Sequence, residues 1–236
     1  MSQNIITGSA GRDLLIGTAG DDLINGLEGN DYLFGMAGDD DLHGGLGDDF
    51  LWGGQGNDTY HVDTTGEKLF ELRNQGIDTV VSSISYTLPA NFERLVLVDF
   101  ADPTSATGND LDNEIIGSQG DNVIAGKGGN DTLDGAEGRD TYVFDTRLRP
   151  DNVDTVQFVS GTDLIQLDSK IFKGVTGPGA FAFGGAAMDA NDRIIYDANS
   201  GALMYDPDGT GHQAAVTFAI LVGQAGALSP ADFVVV

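Results

Sequence analysis

A nine-residue period runs unbroken from residue 8 to residue 61 and fixes most of what this chain can become. Glycine opens each unit, at Gly8, Gly17, Gly26, Gly35, Gly44 and Gly53, and returns three places later at Gly11, Gly20, Gly29, Gly38, Gly47 and Gly56. The sixth position is always aspartate: Asp13, Asp22, Asp31, Asp40, Asp49 and Asp58. The eighth is always large and apolar: Leu15, Ile24, Leu33, Leu42, Leu51 and Tyr60. Three residue classes held in phase this long demand a structural unit of the same length. Glycine permits a positive φ and close backbone approach, so the first six positions predict a tight turn and the last three a very short strand.

Two units make one coil of about eighteen residues, and coils stack by parallel pairing roughly 4.8 Å apart. Turns of units n and n+2 then share a side. That sets Asp13 beside Asp31, Asp31 beside Asp49, Asp22 beside Asp40 and Asp40 beside Asp58. Carboxylates stacked so closely repel unless a hard cation lies between them, and turn carbonyls add the oxygens that Ca2+ takes. Mg2+, which holds its water and a strict octahedron, suits such a cage less well. Charge points the same way: 37 acids against 11 bases leave a formal net charge of −26, which favours a divalent metal and disfavours nucleic acid as a partner. Within residues 1–61 the only basic side chain other than histidine is Arg12, against eleven acids.

The register returns at Gly108, Gly117, Gly126 and Gly135, with Gly120, Gly129 and Gly138 at the fourth position of the last three units. Here the sixth position reads Asn113, Asn122, Asp131 and Asp140, and the eighth Ile115, Ile124, Leu133 and Tyr142. Asparagine keeps an oxygen but drops a charge, so affinity at those turns is expected to fall. Leu111 replaces a glycine, which marks the first unit as a cap. Both blocks close alike, on Asp58-Thr59-Tyr60 and Asp140-Thr141-Tyr142, and each is followed by a DTV triplet, at Asp78 and Asp154, as expected of a duplicated roll with its own terminator.

This pattern resembles the repeats-in-toxin (RTX) hemolysin-type calcium-binding family and is similar to the carboxy-terminal regions of type I-secreted exoproteins. The resemblance implies an all-β, right-handed parallel β-roll, a β-solenoid whose glycines and sixth-position residues hold several Ca2+ ions, about six between stacked turns. The expected order is a first roll over 1–62, a β-rich spacer over 63–107 that continues the solenoid with larger calcium-free coils, a second roll over 108–145, and a β-rich region over 146–236. The terminal Asp232-Phe233-Val234-Val235-Val236 resembles the uncleaved signal read by type I secretion machinery. No cysteine, no amino-terminal signal peptide and no membrane-spanning run are present, so the expectation is a secreted, extracellular or cell-surface protein that folds as it meets calcium.

Between the blocks, Lys68–Leu72, Thr79–Leu88 and Arg94–Val98 read as strands, with Pro89 and Pro103 as breaks. Beyond residue 146, Arg193 to Gly211 reads as a hairpin around Asn199-Ser200-Gly201, Asp206, Asp208 and Gly209 as a plain turn, with another calcium site as the alternative, and Ala215 to Val222 as a buried strand.

Side chains alternate along a strand, so positions seven and nine face outward. One outer face carries Leu14, Ile16, Tyr32, Phe34, Phe50 and Trp52; the other carries Leu23, Asn25, Asp41, His43, Thr59 and His61. The aromatic face predicts either packing, within the chain or against a second copy, or a platform for carbohydrate. His43 and His61 should stack, but without a third ligand they read as ordinary surface residues. No H-E-x-x-H, no G-x-S-x-G and no isolated carboxylate pair occurs, so the reading is a non-catalytic module. The alternatives are a carbohydrate or cell-surface binding module, or the secretion part of a larger RTX enzyme.

Overall fold

The computed structural model describes residues 3–98, 104–224 and 228–236, so the break expected at Pro103 lies outside the described residues. The chain is an all-β parallel solenoid that divides into two compact units, Met1–Asp99 and Phe100–Val236.

In the first unit the odd strands form one parallel sheet: β1 (Asn4–Thr7), β3 (Asp22–Glu28), β5 (Asp41–Leu46), β7 (Thr59–Val62), β9 (Thr79–Ser82) and β11 (Arg94–Leu97), in that order. Opposite run β2 (Leu14–Ile16), β4 (Tyr32–Ala37), β6 (Phe50–Gln55) and β8 (Lys68–Phe70). Register within the repeats is eighteen residues, as in Ile24↔Leu42 and Leu33↔Leu51. The eighth position is therefore a continuous core column: Ile24, Leu42, Tyr60, Val80 and Leu95 from one sheet and Leu33 and Leu51 from the other are all 0% exposed. Burying each such side chain is worth about 1.5–3 kcal/mol, so the column stabilises the roll and fixes its phase.

The strands differ from a three-residue expectation. β3 to β6 run for six or seven residues, because pairing persists through the first three positions of the next unit, as in Leu27↔Gly45, Glu28↔Leu46 and Ala37↔Gln55. In the spacer, the run from Thr79 to Leu88 is two strands, β9 and β10 (Tyr86–Thr87), separated where the Ser82 hydroxyl bonds the backbone of Ile84.

The second unit repeats the plan with β12 (Thr104–Thr107), β14 (Asn122–Ala125), β16 (Thr141–Phe144), β18 (Leu164–Leu167) and β23 (Phe233–Val235) in one parallel sheet. Its other sheet starts with β13 (Glu114–Ile116), β15 (Thr132–Asp134), β17 (Asp154–Val159) and β22 (Val216–Gln224). It then turns antiparallel through β21 (Ala202–Tyr205) and β20 (Ile194–Asp197), the expected hairpin, before β19 (Phe181–Phe183). In the acidic loop after β21, Asp206 Oδ1 accepts the N–H groups of Asp208 and Gly209, while Asp208 Oδ1 is buried without a hydrogen-bond partner. The terminal β23 pairs with β18, and the buried Asp232 beside it accepts the N–H of Gly161.

Candidate metal centre

The sixth-position residues form ladders along the turns. Backbone N–H groups of Asp13, Asp22, Asp31 and Asp40 donate to Oδ1 of Asp31, Asp40, Asp49 and Asp58, at 2.7–2.8 Å. Asn113 and Asn122 donate likewise to Asp131 and Asp140, at 2.8 and 2.9 Å. Half of each carboxylate is thus committed to the coil beneath it, which removes part of the repulsion that stacking alone would create.

The other oxygen separates two kinds of turn. In the opening turns it is spoken for: Ser9 N–H donates to Asp13 Oδ2 and Thr18 N–H to Asp22 Oδ2, both at 2.6 Å, while Asn109 and Ser118 do the same for Oδ1 of Asn113 and Asn122 at 2.8 and 2.7 Å. In the later turns the second position is left-handed: Leu27, Met36, Gly45 and Gly54 have φ of 81, 86, 90 and 106°, and Lys127 and Ala136 have 75 and 65°. No local N–H then reaches the carboxylate. Oδ2 of Asp31, Asp40, Asp49, Asp58 and Asp131 is buried without any hydrogen-bond partner. A lone buried carboxylate oxygen costs free energy on the order of 1–3 kcal/mol or more, so each such atom calls for a cation.

The glycines shape the space around those oxygens. A Cβ on Gly8 would come 2.6 Å from the carbonyl oxygen of Gly26 and 2.7 Å from Asp13 Oδ2, and Gly17, Gly26, Gly35, Gly108 and Gly117 face the same pair of oxygens one coil up. Gly44, Gly53, Gly126 and Gly135 face Oδ2 of Asp49, Asp58, Asp131 and Asp140. First-position glycine therefore keeps open a cradle where carbonyl and carboxylate oxygens converge, which is the hard-donor set that Ca2+ takes. Fourth-position glycine has another task. Gly29, Gly38, Gly47 and Gly56, with φ of 114–150°, lie against the backbones of Gly11, Gly20, Gly29 and Gly38, and Gly129 and Gly138 against those of Leu111 and Gly120.

The spacer is not free of candidate ligands, contrary to the expectation of calcium-free coils. Glu67 lies eighteen residues after Asp49 and Glu71 eighteen after Gly53, so the register continues silently past the last glycine-rich unit. Glu71 Oε1 accepts from Gly53 N, Gly54 N and the Tyr60 hydroxyl, and carboxylate oxygens of Asp58, Glu71 and Asp78 lie within 4.8 Å of one another. Asp78 takes the N–H of Asp58 and Glu93 that of Asp78. In the second unit Asp154 takes the N–H of Asp131, and Asp163 that of Asp140. The two DTV triplets are consequently not equivalent: Asp78 caps the last unit of its block and Asp154 the penultimate one, because the connecting loops differ in length. Only the count of eighteen from Asp49 and Gly53 could have exposed Glu67 and Glu71 beforehand.

Electrostatics follow from this crowding. Burial first, and like-charged neighbours after it, push Asp40 up to about 6 and Asp58, Asp78 and Asp140 up to about 7; Asp131 and Glu67 are raised as well. Without a cation these carboxyls resist ionisation at neutral pH.

A family profile described as RTX calcium-binding nonapeptide repeat, in four copies, matches residues 3–33, 26–60 and 107–142. Over those residues the chain carries RTX calcium-binding nonapeptide repeats. Among its relatives is the endo-1,3-1,4-beta-glycanase ExsH of Rhizobium meliloti (strain 1021), 38% identical over 63 residues, which are 27% of this chain and 13% of that protein. Two solved structures align over most of the chain. The solution structure of the AlgE6R3 subunit from the Azotobacter vinelandii mannuronan C5-epimerase is 20% identical, with 96% of this chain and 80% of that one covered and a TM-score of 0.23. The crystal structure of the extracellular lipase LipA from Serratia marcescens is 16% identical, with 97% and 40% covered and a TM-score of 0.22. No helix among the described residues is long and apolar enough to cross a membrane.

Proposed function

We propose that the RTX rolls are a non-catalytic calcium-dependent folding module of a protein exported by a type I route. The observation that carries this reading is the set of buried carboxylate oxygens, on Asp31, Asp40, Asp49, Asp58 and Asp131, that no donor of the chain satisfies. With those groups ionised and unscreened, mutual repulsion opposes the stacking of coils, and the chain stays open enough to thread through an exporter. Bound Ca2+ supplies the positive charge that lets the carboxylates stay ionised inside the fold. The sixth-position residues and the first-position glycine carbonyls hold it, with Glu67, Glu71 and Asp78 closing the first block. Extracellular calcium modules bind at about 10⁻⁴ to 10⁻³ M, a range crossed on leaving a cytosol. The terminal segment is strand β23 in the fold, so an exporter reads it only in the open chain. Far-UV circular dichroism against calcium concentration is the test: a cooperative gain of β signal supports the switch, and a fully folded chain in chelator sinks it.

The aromatic face favours a second reading. Tyr32, Phe34, Phe50, Trp52 and Phe70 adjoin one another with centroids 5.9–6.5 Å apart, Phe50 and Phe70 stacked and the other pairs tilted or edge-on, which leaves Phe50 and Trp52 half-buried and Tyr32 and Phe70 38% and 44% exposed. A row of partly exposed aromatic rings is a surface on which sugar rings can lie, and the partial likeness to a glycanase agrees with a roll that rides beside carbohydrate chemistry. Retention of the calcium-loaded chain on a β-glucan matrix, lost in a Tyr32→Ala/Phe70→Ala variant, supports this; free passage of the unaltered chain ends it.

A further inference from the structure

The polar outer face of the first roll holds a second kind of donor set, made of nitrogen as well as oxygen. His43 on β5 and His61 on β7 occupy the same register position, and their rings stack at 3.7 Å with an interplanar angle of 11°. Two residues before His43, and therefore on the same face of β5, stands Asp41. Its Oδ1 lies 2.9 Å from Nε2 of His43 and 2.9 Å from Nε2 of His61. The third ligand that the spacing of the histidines alone does not supply is thus delivered by the pleat.

An ordinary polar cluster would use this proximity for hydrogen bonds. Here Oδ1 of Asp41 is buried and sits 2.9 Å from Nε2 of both histidines without a well-aligned hydrogen bond to either. The convergence of one carboxylate oxygen and two imidazole nitrogens on one point is the donor set a shared ion would use. All three lie within 4.8 Å of each other, and a cation bound at about 2.0–2.1 Å to each would set them about 3.3 Å apart, with the stacked rings rotating out of parallel so that both Nε2 lone pairs converge on it, a movement open to half-exposed side chains. The strands fix the backbones of both histidines by pairing on both sides, His43 with Asn25 and His61 with Val81, so only the side chains have order to gain on binding.

Hardness decides which ion fits. Ca2+ and Mg2+ take oxygen ligands, whereas two imidazoles and a carboxylate suit borderline cations such as Zn2+, Cu2+, Ni2+ or Co2+. One anionic and two neutral ligands leave a dication with a net positive charge, a favourable balance on a chain of net charge −26. Three protein ligands also leave a tetrahedral position open to water or to a ligand from solution.

We propose that Asp41, His43 and His61 form a site for one divalent transition-metal cation of the zinc class, distinct in chemistry from the oxygen cradles of the calcium turns. The site uses outward side chains of β5 and β7, so it can fill while the cradles are saturated.

The test is a calorimetric titration of the full calcium-saturated chain with Zn2+, paired with visible absorption on titration with Co2+. The expected result is one equivalent of Zn2+ bound in the presence of excess Ca2+, with a Co2+ spectrum showing imidazole nitrogen ligation. Removing partners that merely orient a metal ligand costs about 10–100-fold in affinity, so His43→Gln and His61→Gln, which remove ligands outright, should each weaken binding by about 100-fold or more. Asp41→Asn should weaken it by at least about tenfold, and His212→Ala, which removes the remaining histidine, should leave it unchanged. Far-UV circular dichroism in Ca2+ identifies any variant that fails to fold, and the Co2+ spectrum of the unaltered chain needs no variant. Zn2+ binding that survives in a His43→Gln/His61→Gln double variant overturns the proposal. So does a Co2+ spectrum without nitrogen ligation, or binding that excess Ca2+ abolishes.

Discussion

The first and second rolls share a ladder but treat its opening turns differently in charge: Asp13 and Asp22 begin the first, Asn113 and Asn122 the second. The hydrogen bonds are nevertheless the same, with the second-position N–H of each unit capping the side-chain oxygen in all four turns. Only an oxygen is needed there, so asparagine replaces aspartate without loss of geometry. The later turns are another matter. A left-handed second position turns that N–H away, and the freed carboxylate oxygen of Asp31, Asp40, Asp49, Asp58 or Asp131 is left buried and bare. The contrast teaches that charge is concentrated where the backbone has withdrawn its own donor. In the second roll asparagine stands where the side-chain oxygen already accepts a backbone N–H.

The largest effect that can break this contrast is removal of calcium. Trp52 is the chain's only tryptophan and sits on β6, so its fluorescence reports the first roll alone. That roll contains four of the five bare sixth-position oxygens, on Asp31, Asp40, Asp49 and Asp58. Chelator should shift Trp52 emission to that of the denatured chain, while part of the β signal persists from the second unit. Unchanged emission in chelator would show that the bare oxygens do not govern the first roll.

Next in size is a pair of substitutions. Asp40→Asn alters a bare carboxylate, and should raise the calcium midpoint of folding by about tenfold. Asp22→Asn alters one whose Oδ2 already accepts the Thr18 N–H, and should move the midpoint by less than about twofold. Equal effects of the two would erase the distinction between opening and later turns.

Protons offer a milder version of the same comparison. Burial raises Asp58, Asp78 and Asp140 to about 7 in the fold, against about 3.9 in an open chain. A carboxyl with a raised folded-state pKa binds protons preferentially in the fold, so its ionisation destabilises the fold above that pKa, and the penalty fades as pH falls from 7 toward 4. In chelator the fold should therefore gain stability as pH falls from about 8 to about 5, the second unit, whose β signal persists, through Asp140, and the first, open at about pH 8, by partial refolding through Asp58 and Asp78. In excess calcium the trend should reverse, since protons then compete for the same oxygens. Urea midpoints at both pH values, with and without calcium, provide the check; a common trend in the two series would refute the assignment of these carboxyls to the cation.

Much of this was legible in the sequence because one period controlled both core and ladder. Ile24, Leu42 and Tyr60 could be placed in one column by counting, and so could Asp22, Asp40 and Asp58, since a parallel register of eighteen residues leaves no freedom once two units make a coil. The count also stacked His43 on His61. What it missed were contacts that depend on conformation within a unit. The left-handed second position is held by Leu27, Met36, Lys127 and Ala136, none of which advertises a positive φ as glycine does. Asp78, Asp154 and Asp163 take over the ladder through loops whose lengths follow no period, while Glu67 and Glu71 keep the count of eighteen with no glycine-rich unit to mark it. Asp41 escaped notice as a companion of the histidines because the ninefold reading assigned its neighbour Asp40 to the turn and left position seven as mere surface.

Those four non-glycine residues supply the smallest effect. A left-handed conformation costs a side-chain-bearing residue about 1–2 kcal/mol, and Leu27 and Met36 are about half exposed, at 48% and 46%, so little burial offsets it. Leu27→Gly or Met36→Gly should therefore stabilise the calcium-loaded roll by about 1 kcal/mol, after allowance for the greater freedom of glycine in the open chain. Thr18→Gly, at the same position of an opening turn, has no positive φ to relieve and loses the hydroxyl that contacts Asp22 at 3.1 Å, so it should destabilise slightly. Urea unfolding in saturating calcium measures both. A gain for Thr18→Gly equal to that for Leu27→Gly would mean that the second position does not divide the turns into two kinds, and that the bare oxygens owe their state to something other than the backbone beside them.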